Sequence, residues 1–126
     1  EQLAEWNPFD QIHSAVFFEP EWMFGLTDGF DIVIGNPPYV RHELIKKLKP
    51  DLKEQYKSCY TGTSDLYVYF FEQGINLLKS KGILTLITSN KYFRSDYGEK
   101  LRTFLRTKTR ILQLIDFGDA IFLALV

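Results

Sequence analysis

The chain has 126 residues, of which 45% are hydrophobic and 16% aromatic, and its formal net charge is −1 at pH 7. A chain of this size can bury one hydrophobic core but not two, and no stretch approaches the length of a membrane span. Its one cysteine, Cys59, excludes an internal disulfide, so that we expect a cytoplasmic protein and not a disulfide-stabilised secreted one.

The near-neutral net charge conceals a strong asymmetry along the chain. Residues 1–35 contain seven acidic residues and no Lys or Arg, whereas residues 36–126 contain fifteen basic residues against nine acidic ones. The basic residues concentrate in residues 91–110 and in an earlier stretch that contains Arg41, Lys46, Lys47, Lys49, Lys53 and Lys57. Contacts to phosphate groups are one use of such stretches, although a solvated surface is the commoner role of any single lysine.

The first predicted element is a strand. Phe30–Gly35 is a nearly continuous apolar run, which is typical of a parallel strand that is buried on both faces. It is followed by a long, basic connection from Val40 to Gly62 without a strand pattern, in which Glu43–Lys49 could form a short helix. A connection of this length is uncommon unless it is functional or disordered.

A helix is predicted after this connection. Ser64 is suited to be its N-cap, and Asp65 would then lie in the first turn, where an acidic side chain complements the helix dipole. The other role open to Asp65 is a contact with substrate at the mouth of a cleft. The apolar face of the helix is formed by Leu66, Phe70, Leu77 and Leu78. Gly82 follows as the residue that ends the helix.

Three further strands and one further helix complete the pattern. Ile83–Thr88 is predicted as a second buried strand, and Tyr97–Thr107 as an amphipathic helix. Ile111–Phe117 is predicted as a third strand, with which Ile121–Val126 could pair as a fourth. Strands that alternate with helices of about a dozen residues predict an α/β fold with a mostly parallel sheet and flanking helices.

The tetrapeptide Asn36-Pro37-Pro38-Tyr39 follows directly after the first predicted strand, at the place where α/β sheets bind ligands. Prolines lack an N–H, and the residue before a proline is held in the extended region, so that this turn offers carbonyl acceptors and few donors. The Asn36 side-chain oxygen and the Pro37 carbonyl could accept both hydrogens of one amino group, while Tyr39 lies flat on the ring that carries it. The alternative is an ordinary loop with an exposed tyrosine.

Four segments, in order along the chain, resemble the motifs of N6-adenine-specific DNA methyltransferases that use S-adenosylmethionine. They are Phe30–Val40 with the tetrapeptide, Thr63–Phe70, Gly82–Phe93 and Ile115–Ala120. The acidic stretch Phe18–Trp22 is similar to large fused restriction–modification enzymes of Type IIG and to related phage-defence methylases. The resemblance covers nearly the whole chain from about Phe18 onward.

The resemblance implies the C-terminal half of a Rossmann-like methyltransferase domain, which transfers a methyl group from S-adenosylmethionine to the N6 amino group of an adenine flipped out of double-stranded DNA. Asn36, Pro37 and Tyr39 would be the catalytic residues, acting by electrostatic preorganisation, and Pro38 and Tyr39 would contact the base. Asn36 and Pro37 would also touch the cofactor. The connection from Val40 to Gly62 would border the substrate cleft and become ordered on DNA.

Two further residues are implied as substrate contacts. Phe122 is the best match to a phenylalanine that closes on the other face of the base, although the spacing of Asp119-Ala120-Ile121-Phe122 is one residue short. The alternative for Phe122 is a core aromatic side chain. Lys91 follows a strand end, where it could reach a phosphate or a base edge, while Ser89 and Asn90 could simply cap that turn.

The glycine-rich cofactor loop that this family carries early in its catalytic domain has no counterpart here, because no Gly-x-Gly occurs in the chain. We therefore expect residues 1–126 to form a single partial methyltransferase domain that contains the catalytic loop. The main cofactor cradle and the DNA target-recognition domain would lie elsewhere in the parent polypeptide. The isolated chain is then expected to be inactive, and its open sheet edge could pair with a second copy.

Two other functions stay open at this point. Methyltransferases that act on glutamine side chains of translation release factors share the same tetrapeptide, and their target is also an amide –NH2 group. The third candidate is a non-catalytic module that binds DNA or serves assembly. His13 and His42 have no partner at metal-ligand spacing, so that no metal is predicted. Cys59 has no base near it in sequence and is expected to be unreactive.

Overall fold

The computed structural model describes residues 7, 9–10, 12–13 and 18–118, together with the backbone of residues 122–125. The helices are α1 (Pro20–Phe24), α2 (Lys49–Gln55), α3 (Tyr67–Asn76) and α4 (Glu99–Lys108), and the strands are β1 (Phe30–Gly35), β2 (Leu78–Thr88), β3 (Gln113–Asp116) and β4 (Phe122–Leu125). Short 3-10 helices cover Lys46–Leu48, Asn90–Phe93 and Asp96–Gly98. Within the described part of the chain, no helix has both the length and the apolar character needed to cross a bilayer.

The four strands form one mixed sheet in the order β1-β2-β4-β3. Strands β1 and β2 are parallel, and Ile34 lies opposite Thr85 in their register. Strand β4 is antiparallel to both β2 and β3, so that β1, β2 and β3 all run in one direction. The prediction of an α/β fold is confirmed, and the fourth strand pairs with the third as expected. The sheet is mixed and not mostly parallel, however, because two of its three described pairings are antiparallel.

Helices α3 and α4 pack on the same face of the sheet and build the main core. Val68 and Phe71 of α3 lie in one buried cluster with Leu84 and Leu86 of β2. From α4, the same cluster receives Leu101, Phe104 and Leu105. These three side chains are the apolar face predicted for this helix, which begins at Glu99 and not at Tyr97 because the preceding Asp96–Gly98 turn is 3-10.

The boundaries predicted for α3 are wrong at both ends. The Ser64 hydroxyl is fully buried and pairs with the Thr61 hydroxyl at 2.6 Å, so that it does not cap the helix, which begins at Tyr67. The helix ends at Asn76, and the segment predicted as its last turn, from Leu78 to Gly82, lies in β2. Leu78 is the sheet partner of Phe30 in β1, and the register of the two strands shifts before Ile83, the partner of Ile32.

Strand β1 is not buried on both faces, contrary to the prediction. It lies at the edge of the sheet, and Ile32 and Ile34 are 57% and 77% exposed. In register with them on β2 are Ile83 and Thr85, followed on the same face by Ile87, which is 37% exposed. The side of the sheet opposite to α3 and α4 therefore presents an apolar surface, which we call the isoleucine face (Ile32, Ile34, Ile83 and Ile87).

The connection between β1 and α3 is folded against α3. Its helix is later than the predicted Glu43–Lys49, because Pro50 occupies the first turn of α2, where its fixed φ favours helix initiation and its missing N–H has no helical partner to lose. Ile45 and Leu52 are buried with Tyr69 of α3 in a second apolar cluster. The connection thus makes tertiary contacts with α3.

A carboxylate of α3 holds the end of this connection. Glu72 is buried, and its two oxygens accept the backbone N–H groups of Ser58 at 3.2 Å and Cys59 at 2.8 Å. Replacing Glu72 by alanine is expected to lower the free energy of unfolding by about 2 kcal/mol, because two N–H groups lose a charged acceptor. Denaturant unfolding checks this, with Glu54→Ala on the exposed side of α2 as the control. Equal effects of the two substitutions would contradict the role of Glu72.

Candidate active site

The predicted site residues lie at the carboxyl ends of β1 and β2. The tetrapeptide follows β1, and the segment Ser89–Phe93 follows β2. Because these strands are parallel, both segments leave the sheet on the same side. Strand β4 runs the other way and begins at Phe122, whose Cα is the register partner of Thr88 at the end of β2. The backbone thus places Phe122 at the edge that carries the tetrapeptide, and its side chain lies outside the described part of the structure.

Within the tetrapeptide, one hydroxyl group makes the connection between the two strands. The Tyr39 hydroxyl donates toward the Asn36 Oδ1 at 3.0 Å and toward the backbone carbonyl of Ile87 in β2, also at 3.0 Å. Pro37 is buried, whereas Asn36 and Pro38 are exposed and the Tyr39 side chain is half exposed. The polar end of Asn36 and the ring of Tyr39 are thus held together at the surface by contacts to the end of β2.

A cavity of about 330 Å³ lies beside the tetrapeptide, between β1 and α3. Its lining includes Asn36, Pro37 and Pro38 on one side and Phe70 and Gln73 of α3 on the other, and no lining residue is charged. Phe70 was predicted in the core, but it is 39% exposed. The buried stripe of α3 instead runs through Val68, Phe71 and Ile75, which follow the helical repeat. The buried stripe is thus shifted by one residue from the predicted apolar face, and Phe70 lies beside the cavity as a result. The apolar residues of this helix also fit the shifted face, which the sequence could have indicated.

The segment after β2 is a short 3-10 helix, Asn90–Phe93. The Ser89 side chain accepts the backbone N–H of Lys91 at 3.3 Å, which is the capping role considered for Ser89. The Lys91 side chain is exposed, and Phe93 stacks on Tyr92 with ring centroids 4.4 Å apart. Lys91 is therefore held by its backbone at the edge of the site while its ammonium group stays in solvent.

Asp65 links three segments that border the site. It precedes α3 and does not lie in its first turn. One carboxylate oxygen accepts the backbone N–H of His42 at 2.9 Å, and the other accepts the Tyr97 hydroxyl at 3.5 Å. The Tyr97 hydroxyl also pairs with that of Tyr67 at 3.0 Å. Asp65 thus fixes the connection and the loop before α4 to the beginning of α3.

One basic residue of the connection, Lys49, makes contacts within the protein, and several others have no described ion pair. The Lys49 ammonium donates to the Ser64 carbonyl at 2.8 Å and lies over the rings of Tyr60 and Tyr69. Burial lowers the pKa of Lys49, and its ammonium group is engaged within the protein and not on a solvated surface. The exposed cations of the same stretch are Arg41, Lys46, Lys47, Lys53 and Lys57.

Two expectations concern reactive and metal-binding side chains. Cys59 is fully buried, and burial together with the neighbouring Glu72 carboxylate raises the pKa of its thiol. The thiol is therefore protonated at neutral pH and shielded, which makes it unreactive. Among the residues that the structure describes, no group of three His, Cys, Asp or Glu side chains could hold a metal ion.

Comparison with known proteins adds an independent finding. The sequence model of the family described as Eco57I restriction-modification methylase matches residues 1–122. The Type II methyltransferase M.BstVI of Geobacillus stearothermophilus is 39% identical over 100 residues, which are 75% of this chain and 17% of that protein. The Type II restriction enzyme and methyltransferase RM.Eco57I of Escherichia coli is 39% identical over 101 residues, 76% of this chain and 10% of that protein. The Type II methyltransferase M.XhoI of Xanthomonas vasicola is 34% identical over 98 residues, 77% and 18% of the respective chains.

The chain spans less than a fifth of the length of each of these three relatives. Each is named as a Type II methyltransferase, and one of them also as a restriction enzyme. The match to the family covers β1, β2, β3 and the tetrapeptide. The resemblance inferred from the sequence motifs is therefore confirmed at the level of the family. This chain belongs to the Eco57I restriction-modification methylase family.

Proposed function

We propose that this chain is the catalytic-loop half of an adenine-specific DNA methyltransferase domain of a restriction–modification or phage-defence system. The reaction is transfer of a methyl group from S-adenosylmethionine to the N6 amino group of adenine. The observation that carries the proposal is the position of Asn36-Pro37-Pro38-Tyr39 at the carboxyl end of β1, with Asn36 and Tyr39 in hydrogen-bond contact, in a restriction-modification methylase. The topology, with three strands in one direction and β4 reversed between β2 and β3, supports a Rossmann-like domain.

The catalytic role proposed for the tetrapeptide follows from the electronic structure of adenine. The exocyclic nitrogen is a poor nucleophile because its lone pair is delocalised into the ring. Two acceptors that bind its hydrogens in a tetrahedral arrangement favour the transition state, in which positive charge grows on this nitrogen. The Asn36 Oδ1 and the Pro37 carbonyl are the two acceptors in this proposal, and neither needs to remove a proton before the methyl group is transferred.

The exposed aromatic surface at the site suits a base that has left the duplex. The Tyr39 ring is half exposed, and stacking of the target base on it offsets part of the stacking that is lost on flipping. The register of β4 supports a contact of Phe122 with the other face of the base, because its backbone starts at the same edge. Pro38 is exposed beside Tyr39 and contributes apolar contact to the base, and Lys91 extends from the neighbouring segment toward a phosphate or a base edge.

The cavity between β1 and α3 fits one wall of a site for S-adenosylmethionine. None of its lining residues is charged, so that no cation in the lining repels the sulfonium of the cofactor, and Phe70 offers an aromatic surface for a ring. When bound, S-adenosylmethionine supplies an electrophilic methyl group. Asn36 and Pro37 would hold the cofactor on the side of the tetrapeptide and Phe70 on the side of α3. Its other contacts would come from the upstream part of the parent.

The distribution of charge supports DNA as the substrate. Five exposed cations follow the tetrapeptide in the connection between residues 41 and 57, and further exposed Lys and Arg side chains follow β2. Side chains of this type contact phosphates and fix the register of a protein on the duplex without reading its sequence. The recognition sequence would be read by another domain of the parent.

We further propose that residues 1–126 are part of a larger catalytic domain. Ile32 and Ile34 of the isoleucine face are largely exposed, and the outer edge of β1 has no described strand partner. A cofactor-binding half packed on this face and edge would bury Ile32 and Ile34, in keeping with the small share of the relatives' length that this chain covers. Alone, the chain would be inactive and prone to pair with itself through β1.

The test is transfer of a radiolabelled methyl group from S-adenosylmethionine by the full-length parent. Unmethylated duplex DNA and a translation release factor are offered as separate acceptors, and the isolated 126-residue chain is assayed in parallel. We expect label on adenine N6 with the parent and none with the isolated chain. Label on glutamine of the protein acceptor would replace DNA as the substrate, and cofactor binding without any transfer would point to a non-catalytic module. Activity of the isolated chain would overturn the proposal of a partial domain.

A further inference from the structure

The hydroxyl group of Tyr39 has a geometry that stacking does not require. It lies 3.0 Å from the Asn36 Oδ1 and 3.0 Å from the Ile87 carbonyl oxygen. A phenol has one proton, so that this proton is shared between two acceptors in a three-centre hydrogen bond. A phenylalanine ring would stack on a base as well as a tyrosine ring does. The hydroxyl therefore needs a separate explanation.

The Tyr39 hydroxyl donates to the side chain of Asn36, on which the proposed reaction depends. Among the described residues, the Tyr39 hydroxyl is the only hydrogen-bond partner of the Asn36 side chain, which is otherwise exposed to solvent. An exposed amide rotates about its last torsion angle, and its two ends have opposite character, because the oxygen accepts and the nitrogen donates. Only an orientation that presents the oxygen can accept a hydrogen of the target amino group.

We propose that Tyr39 is a positioning residue for Asn36, with a hydroxyl that fixes the orientation of the Asn36 amide and anchors it to β2 through the Ile87 carbonyl. This inference rests on the proposed role of the tetrapeptide in methyl transfer. A carbonyl oxygen has two lone pairs, so that Oδ1 can accept from Tyr39 and from the target amino group at the same time. The amide is thus already oriented when the reaction begins, and the free energy of ordering it does not add to the barrier of methyl transfer.

The second acceptor lets the hydroxyl adjust as the reaction proceeds. As positive charge develops on the amino nitrogen, the most favourable position is one in which Oδ1 gives its full acceptor strength to the substrate. The Tyr39 proton can then move toward the Ile87 carbonyl, since both oxygens lie at the same distance. Neither the hydroxyl nor the amide loses its last partner in that step. The anchor is a backbone carbonyl, so it is independent of the side chain at position 87.

Tyr39→Phe in the full-length parent tests the proposal, because it removes the hydroxyl and keeps the ring. We expect kcat for methyl transfer to fall by about fivefold to tenfold, the effect of one hydrogen bond, while KM for DNA stays within twofold. Tyr39→Leu, which removes the ring as well, is expected to raise KM for DNA in addition to lowering kcat. Tyr60→Phe, at a tyrosine whose hydroxyl makes no described hydrogen bond, is the matched control and should leave both constants unchanged.

The outcomes separate this inference from the proposed function. The wild-type product identifies the substrate: label on adenine in DNA supports the function, and label on a glutamine side chain overturns it. In either case the target is an –NH2 group, and the ratio of kcat between wild type and Tyr39→Phe tests the positioning role on whichever acceptor is labelled. A kcat within twofold of wild type would overturn the inference, as would a rise in KM with unchanged kcat. Because Tyr39 is half exposed, both Tyr39 variants should remain folded under the assay conditions, which denaturant unfolding of each variant verifies.

Discussion

Replacing Asn36 by alanine in the full-length parent is expected to lower kcat for methyl transfer at least a hundredfold. The substitution removes one of the two acceptors that we propose for the nitrogen on which positive charge develops, and the loss of one such preorganised group has an effect of about 10²–10³ on kcat. Binding of S-adenosylmethionine should change little, because the family resemblance places most of the cofactor contacts upstream of this chain. The loss should therefore appear in kcat and not in the binding of either substrate.

Single-turnover transfer of radiolabelled methyl groups measures this loss, and equilibrium binding of the cofactor and of DNA is measured on the same preparations. Asn76→Ala provides the control, because Asn76 is an exposed asparagine at the end of α3. Its removal takes away the same amide group at a distance from the tetrapeptide. Methylation that persists in Asn36→Ala, or is lost equally in Asn76→Ala, would exclude the role assigned to Asn36.

The strands could be predicted from the sequence because their signals are local. Phe30–Gly35 is a strand with the predicted bounds, since an apolar run between glycine and proline leaves few alternatives. The pairing of β3 with β4 was also predictable, because a short connection between two strands favours neighbours in the sheet. Burial of β1 could not be predicted in the same way. An apolar strand indicates that both faces can be covered, but the covering elements need not be in the same chain.

The boundaries of α3 show how tertiary contacts override local preference. Serine and aspartate before an apolar stretch favour an N-cap, yet the Ser64 hydroxyl pairs with Thr61 and the Asp65 carboxylate binds His42 and Tyr97. Both side chains are used in contacts with residues that the local pattern does not include. The position of Phe70 beside the cavity follows from the same shift in register.

The candidate site was predictable in its residue types but not in its hydrogen bonds. An asparagine and a tyrosine three residues apart after a strand indicated the chemistry. The contact of the Tyr39 hydroxyl with the Ile87 carbonyl joins residues 48 positions apart, and it depends on the parallel register of β1 and β2. The sequence of the tetrapeptide alone therefore could not predict this hydrogen bond.

The second large effect is expected at Gly98, where a glycine lies directly against the backbone of Tyr92. A β carbon at this position would lie 2.0 Å from the carbonyl oxygen of Tyr92 and 2.7 Å from its Cα. These are backbone atoms, and the same carbonyl accepts a hydrogen bond from the Arg102 guanidinium. Gly98→Ala is therefore expected to lower the free energy of unfolding by about 3 kcal/mol or more, as strong overpacking does.

Denaturant unfolding of Gly98→Ala and of Gly62→Ala compares a crowded glycine with an open one. A β carbon added at Gly62 would meet no atom within 4 Å, and the φ angle of this glycine lies outside the left-handed region. Its substitution should therefore change the free energy of unfolding by no more than about 0.5 kcal/mol. Similar effects at both positions would contradict the close approach of Gly98 to Tyr92.

The same substitution also tests whether the segment after β2 belongs to the site. Gly98 and Arg102 hold the Tyr92 carbonyl, and with it the 3-10 helix that carries Lys91. In the full-length parent at a temperature where Gly98→Ala remains folded, displacement of this helix should raise KM for DNA, whereas Gly62→Ala should not. If KM is unchanged although stability falls, Lys91 does not contact the substrate, and the tetrapeptide with its β2 anchor accounts for substrate binding at this edge of the sheet.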